Sequence, residues 1–586
     1  MKTMNFVLAL LLVLSLLSCT KKVDVNEKVL NLVVSAKVKG MDPISSDDRY
    51  SSNEVARVYE GLLEYHYLKR PYTLVPNLAE ALPEVSSDGL TYIFKIRKGV
   101  LFHDDAAFPE GKGRELTAED FVYSLKRLAD PKLQSVGWWV LDGKIKGLNE
   151  WRKKYADLPA VDYKEEVEGL KAVDRYTLKF VLARSFPQFL YSLAMPFTFA
   201  VAQEVVDHYG KEFINHPVGT GPFVLPKFEQ TNKIVYTKNP KFRAKLYPSE
   251  ATDEFKELGY LQDAGKQLPL VDKVVVNILE EDQPRWLNFQ KGNLDYVAIP
   301  KDNFDTAVTP SKGLAEDLAK KGIKLLISPS LDVTYTAFNH ENKLFSNLKL
   351  RRAMSLAYDV NKSNELFYNS NALPAQSVIP PGIAGYMPDF KNPWRGPDLE
   401  QAKKLLAEAG YPAGKGLPEI TFDCPSSTIS RQMGEYLKSQ MEQIGVHLKV
   451  VQNPWPDLQK KINNKTVMLY GIAWGADYPD AENFLQLLYG PNKTPGANGS
   501  NYDNPEYNKL FESAVVMQDG PERTALYEKL NRMAADQAPW IYGVHRQSFV
   551  LHHSWLRNYF SSDFDQGQAQ YLNVDLEKKA EMLKKL

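Results

Sequence analysis

With 586 residues and 44% hydrophobic content, the chain can bury more than one large core, and its length argues against a single domain. Lys plus Arg and Asp plus Glu both number 72, so no net field draws the chain to nucleic acid or an anionic membrane surface. Two cysteines in all exclude a disulfide framework.

Lys2 precedes Phe6 to Leu17, a mostly apolar run too short to span a bilayer and shaped like a secretory signal. The run closes on Leu16-Leu17-Ser18-Cys19, which resembles the lipobox of bacterial lipoproteins, whose Cys is lipidated and becomes the mature N-terminus. An ordinary signal cleaved near a chance Cys is the alternative. Thr20 to Lys28 is polar and charged, as a tether requires. With Cys19 lipidated, Cys424 is the one other thiol; within Ile420 to Cys424 it reads as a buried small apolar residue of a strand.

Leu30 to Ala36 is a strand candidate, followed by Met41-Asp42-Pro43 and a polar loop through Asn53. Val55, Val58, Tyr59 and Leu62 then follow helical spacing, with Gly61 near the end. Asp88-Gly89 is a turn dipeptide before the alternating Tyr92, Phe94 and Ile96, which predicts a hairpin. Thr117 to Asp120 opens a helix as a variant capping box, with Phe121, Val122, Leu125 and Leu128 as its buried stripe. Residues 131–170 hold Trp138, Trp139 and Trp151 but no readable period. Gly219-Thr-Gly221 lacks the Gly-Lys-Ser/Thr of a phosphate loop and reads as a tight turn.

The last third carries the clearest pattern. Helix Asp398 to Ala409 precedes strand Ile420 to Cys424, then come helix Ser430 to Ile444, strand Val446 to Val451, a short helix near Asp457 to Ile462, and strand Val467 to Ala473. Alternation of this kind means parallel strands joined by right-handed crossovers. Beyond the last strand stand Trp474-Gly-Ala-Asp477-Tyr478-Pro479, a lone carboxylate beside an indole at the end of the sheet where ligands collect. An acid there suits a cationic group; a turn-capping Asp is the structural alternative. Two further helices, Pro505 to Gln518 and Pro521 to Asp536, lead to strand Trp540 to Val544.

Trp474-Gly-Ala-Asp-Tyr478 resembles the Trp-x-Ala-Asp-Tyr of oligopeptide-binding proteins, the extracytoplasmic receptors of peptide ABC importers in solute-binding protein family 5. Ser87 to Tyr92 with Phe94 to Val100 and Phe102-His103-Asp104, Val218 to Phe223, Trp286 to Asp295 and Arg351 to Asp359 resemble other elements of that family, from about Val33 to Tyr559. The resemblance implies an α/β fold of the periplasmic-binding-protein type II class, two-lobed with a hinge and enlarged by an extra domain. On that pattern residues 1–18 are the signal, 19–29 the tether, 30–62 with 184–327 and 546–586 lobe I, 63–183 the extra domain, and 328–545 lobe II. It implies oligopeptide capture outside the cytoplasmic membrane and delivery to permease subunits, by an exported monomer held to a membrane through lipid on Cys19 and facing the periplasm or cell exterior. No catalytic residue, cofactor, metal or nucleic-acid partner is expected.

In the family, the Asp matching Asp477 binds the ligand's α-amino group. Trp474, Trp455 and Tyr478 are expected as apolar walls, Ala473 and Gly475 as backbone partners of an extended peptide, and Arg49 and Tyr50 as contacts from the first loop. Relatives that bind nickel complexes, opines or oligosaccharides keep other ligands open, and a secreted hydrolase is the remaining alternative. The sequence departs from some oligopeptide receptors at Gly471, where they carry an Arg; Lys460 and Lys461 are the nearby cations.

Overall fold

The computed structural model describes residues 26–586 apart from Asp47, Pro495 and Asp565, so Cys19 and the signal lie outside the described residues. Three sheets of four or five strands dominate the fold. In the first, Val29–Val34 runs parallel to Lys273–Ile278, which continues antiparallel to Lys233–Lys238 and then Phe223–Val224. Alternate Leu30, Leu32, Val274 and Val276 are buried, as period-two patterning requires. Gly219 and Gly221 of the expected tight turn pack on the end of helix Arg49–Val58: a Cβ on Gly219 would stand 2.1 Å from the Val58 carbonyl oxygen.

A four-stranded antiparallel sheet is built from Glu84–Val85, Thr91–Lys95, Thr177–Val181 and Leu170–Asp174. The hairpin at Asp88-Gly89 forms as expected, and helix Ala118–Ala129 begins with the reciprocal Thr117/Asp120 capping box. Residues 131–170, unreadable in sequence, contain helix Leu148–Ala156, whose Trp151 packs on Tyr155 and Tyr163 with ring centroids 5.1 and 6.2 Å apart.

The sheet that carries the site has the order Leu448–Asn453, Ile420–Pro425, Leu469–Gly475, Asp332–Phe338, Trp540–Tyr542. The first three strands are parallel, with crossovers through helices Thr428–Glu442 and Trp455–Asn463, as the alternating pattern predicts. Leu437 and Met441 of the longer crossover close a core with Phe422, Cys424 and Leu469. Burial pushes the Cys424 thiol up to about 11, which fits an inert core residue.

Two expectations change. The first helix is Arg49–Val58, not 55–62, because Asp48 accepts from the Ser51 amide and starts it inside the polar stretch. The third parallel strand extends to Gly475, because antiparallel pairing of Val333 with Trp474 and of Asp332 with Gly475 carries it past the apolar run.

The chain passes between this sheet and a three-stranded antiparallel sheet (Tyr296–Ala298, Gln547–His553, Ile323–Pro329) twice, after Pro329 and after His545. The two passages are tied side by side. Arg546 donates from its amide (2.9 Å) and Nε (2.6 Å) to the Asp332 carboxylate, and the Ser330 amide donates to the Arg546 carbonyl (2.9 Å).

Candidate functional site

Strand Leu469–Gly475 is central in its sheet but paired on both sides for only part of its length. Among the described residues, Ile420–Pro425 pairs with it only at Leu469 and Tyr470 and then diverges toward Leu448–Asn453. The other side remains paired with Asp332–Phe338 throughout, in unbroken antiparallel register. Even-numbered residues face that partner, since the Met468 carbonyl accepts from the Asn339 amide and the Ala476 amide donates to Leu331. Alternation then directs the N–H and C=O groups of Gly471, Ala473 and Gly475 to the side that Ile420–Pro425 has left. This is an open strand edge, and it ends at Asp477.

Asp477 is held by Asn483, which no motif in the sequence marks. The Asn483 amide donates to Asp477 Oδ2 (2.9 Å), while its oxygen accepts from the Asp477 amide (3.0 Å) and from Trp474 Nε1 (3.1 Å). Asn483 is 0% exposed, on the short helix Glu482–Leu485. One side chain therefore fixes both indole and carboxylate. Asp477 Oδ1 has no partner among the described residues. Burial pushes the Asp477 carboxyl up to about 6, opposed by the Asn483 hydrogen bond and the Lys144 ammonium. A half-buried, half-satisfied acid of this kind is arranged to receive a cation.

Lys144 comes from the stretch 131–170. Its ammonium donates to the Val140 carbonyl (2.8 Å) and lies 4.8 Å from the Phe186 ring centroid, and burial lowers its pKa. Burial raises the Glu482 carboxyl, although Tyr478 donates a 2.5 Å hydrogen bond to it. Tyr478 is 2% exposed and stacks on Tyr191 at 5.7 Å with ring planes 5° apart. It supports the carboxylate region from behind and is not an open wall, as expected from sequence, because Tyr191 covers its ring. Tyr191 in turn stacks on Tyr65 (6.3 Å), so aromatics from separate parts of the chain pack in a row beside the cluster.

The remaining expected residues lie elsewhere. Trp455 is 46% exposed at the start of its helix after strand Leu448–Asn453, two strand spacings or roughly 10 Å from Leu469–Gly475. The Arg49 guanidinium donates to the Ser562 carbonyl and stands 3.7 Å from Asp563, and the Tyr50 hydroxyl bonds Ser35 Oγ at 3.0 Å. Both line a cavity of about 300 Å³ with Ser330 and Tyr559, apart from the Asp477 cluster. Lys461 is engaged by Asp423 at 2.8 Å.

Residues 73–496 match the model of the bacterial extracellular solute-binding proteins, family 5. The chain belongs to that family. This solute-binding protein is 28% identical over 534 residues to heme-binding protein A of Haemophilus influenzae, covering 89% of this chain and 87% of the relative. It is 26% identical over 578 residues to the dipeptide-binding protein of Escherichia coli, covering 96% and 97%. Its fold matches that of the periplasmic binding protein DppA of Helicobacter pylori in complex with the peptide STSA, with TM-score 0.73, 25% identity, and 94% and 98% coverage. The architecture is thus the two-lobed type II α/β class expected from sequence, and the family is one of substrate-binding proteins that act outside the cytoplasm.

Proposed function

We propose that this protein captures short peptides outside the cytoplasm and delivers them to an ABC importer, without chemistry of its own. The observation that carries the reading is the open edge of strand Leu469–Gly475 ending on the half-satisfied Asp477 carboxylate. An extended peptide adds to such an edge through backbone bonds at Gly471, Ala473 and Gly475, and its α-ammonium meets Asp477. The E. coli relative is named for dipeptides and the H. pylori structure holds a tetrapeptide, which agrees with this reading. Mass spectrometry of whatever co-purifies with the protein tests it. Peptides with free amino termini are expected; heme, a sugar or a metal complex in their place would overturn it.

The titration of Asp477 gives a second test. An ammonium favours the ionised carboxylate, so the complex has the lower pKa and binding expels a proton wherever the free acid is protonated. Affinity should be highest near neutrality, should fall as pH drops through about 6, approaching tenfold per pH unit, and should fall again above about 8 as the peptide's α-ammonium loses its proton. Calorimetry at pH 7.5 and pH 5 should show that loss in wild type and not in Asp477→Asn. A flat profile in wild type would contradict it.

The reading includes two lobes and an extra domain with the boundaries given above, a monomeric state, and closure about the passages at 329–332 and 545–547. Small-angle scattering should show compaction on adding saturating peptide, and an unchanged radius of gyration would count against closure. It also includes lipid on Cys19. Cys19→Ala should leave the protein as soluble exported material or unprocessed precursor, since the acyl chains that would anchor it are lost. Intact-mass measurement of wild type lacking acyl chains would refute the anchor.

A further inference from the structure

A cavity of about 480 Å³, within the range of small-molecule sites, lies beside helix Ala118–Ala129, and none of its lining residues belongs to the Asp477 cluster. Glu119, Val122, Tyr123 and Lys126 recur at helical spacing and so present one face of that helix to it. With Val122, the Leu170 and Ala172 side chains of strand Leu170–Asp174 give the cavity an apolar floor. Most charges of the lining are already paired: Arg114 donates to Asp120 (2.7 Å) and Glu204 (2.6 Å), and Lys171 to Glu166 (2.7 Å). Lys126 is different. It is 3% exposed, and its ammonium donates to the Tyr163 and Glu165 carbonyls (2.9 and 2.7 Å), with no carboxylate bonded to it among the described residues. An ammonium carries three N–H groups, so one remains. Burial lowers the Lys126 pKa, as an interior cation without a counter-ion requires. Tyr123, 8% exposed, brings a second donor: its hydroxyl has no partner among the described residues, while its ring packs on Tyr163 at 5.1 Å. Two unspent donors, one of them charged, thus stand beside an apolar floor.

We infer that this cavity binds a small organic monocarboxylate with an apolar chain, its two oxygens taking the Lys126 ammonium and the Tyr123 hydroxyl. The inference is independent of the peptide reading. A buried cation costs stability until an anion meets it, and two donors match the two oxygens of a carboxylate. A polyvalent anion is disfavoured because Glu119, Asp120, Glu166 and Glu204 also line the cavity. A bare inorganic anion would leave Val122, Leu170 and Ala172 uncovered. Glu119 does not supply the missing counter-charge: it is exposed, and it stands two helical turns, roughly 10 Å, along the helix from Lys126.

Full-length protein titrated with hexanoate, propionate and hexanamide, read by ligand-observed nuclear magnetic resonance, tests the inference. Hexanoate should bind saturably and about tenfold or more tighter than propionate, since each added methylene gains on the apolar floor. Hexanamide, which keeps the chain and loses the charge, should bind about tenfold or more weaker than hexanoate. Lys126→Met should abolish hexanoate binding, and Tyr123→Phe, which keeps the ring, should weaken it about threefold to tenfold. Circular dichroism should show both variants folded, and Ala-Ala-Ala should bind them as it binds wild type. Should Lys126→Met fail to fold, Tyr123→Phe decides. No saturable hexanoate binding below about 10 mM, equal binding of hexanamide, or an affinity that Tyr123→Phe leaves unchanged overturns the inference. None of these outcomes touches the peptide reading, which is tested at Asp477.

Discussion

Asp477→Asn should weaken binding of peptides with free amino termini by about ten- to a hundredfold, the worth of roughly 1.5–3 kcal/mol for a hydrogen bond to a charged group. The substitution keeps the volume and an acceptor oxygen toward Asn483, so the geometry around Trp474 Nε1 and the Asp477 amide survives. What is lost is the charge at the end of the open edge. Folding should be unchanged, because the native carboxylate gains little from its surroundings: burial raises its pKa, and Asn483 and Lys144 only partly offset that. Calorimetry on the variant, with circular dichroism to confirm the fold, measures both quantities. Equal affinities for wild type and variant would return Asp477 to a turn-capping role.

Arg523→Met should destabilise the protein by about 3–5 kcal/mol, the cost of leaving one member of a buried ion pair behind. Arg523 donates to Asp480 Oδ2 at 2.7 Å, with the two side chains 3% and 5% exposed. Asp480 also accepts from the Tyr527 hydroxyl (3.0 Å) and the Glu482 amide (2.8 Å), and so anchors the helix that carries Asn483. The same arginine lies against the Gln188 side chain, whose amide, oriented to satisfy both partners, donates to the Val515 carbonyl at 3.3 Å. Losing it should therefore loosen the support of Asp477 as well as the fold. Denaturant unfolding followed by tryptophan fluorescence reads the change, and a shift below about 1 kcal/mol would place the pair in the weak, solvated class.

The sheet behind the site was legible because its helices announce themselves. Asp398 accepts from the Gln401 amide at one helix start, and the Leu437 and Met441 stripe faces the core. The end of strand Leu469–Gly475 was misplaced by two residues because backbone pairing, not hydrophobicity, carries it through Trp474 and Gly475. Helix Arg49–Val58 was hidden by its polar start, and its buried Glu54 makes sense only with Arg57 (3.0 Å) and the distant Tyr236 hydroxyl (2.8 Å) on it. Asp477 and Trp474 stood out as a carboxylate and an indole just past an apolar run. Asn483 did not, because nothing in local spacing marks a hub whose three bonds come from the turn folding back six to nine residues. Lys144 and Tyr191 reach the cluster from remote segments, and only tertiary packing brings them there.

The central claim is that the ligand's free α-ammonium is bound by Asp477. One peptide, titrated into wild-type protein with its amino terminus free and then N-acetylated, tests it most directly. Acetylation should cost about ten- to a hundredfold in affinity, and its effect should largely vanish in Asp477→Asn, because both changes delete one interaction. Free and acetylated peptide binding wild type equally well would contradict the account.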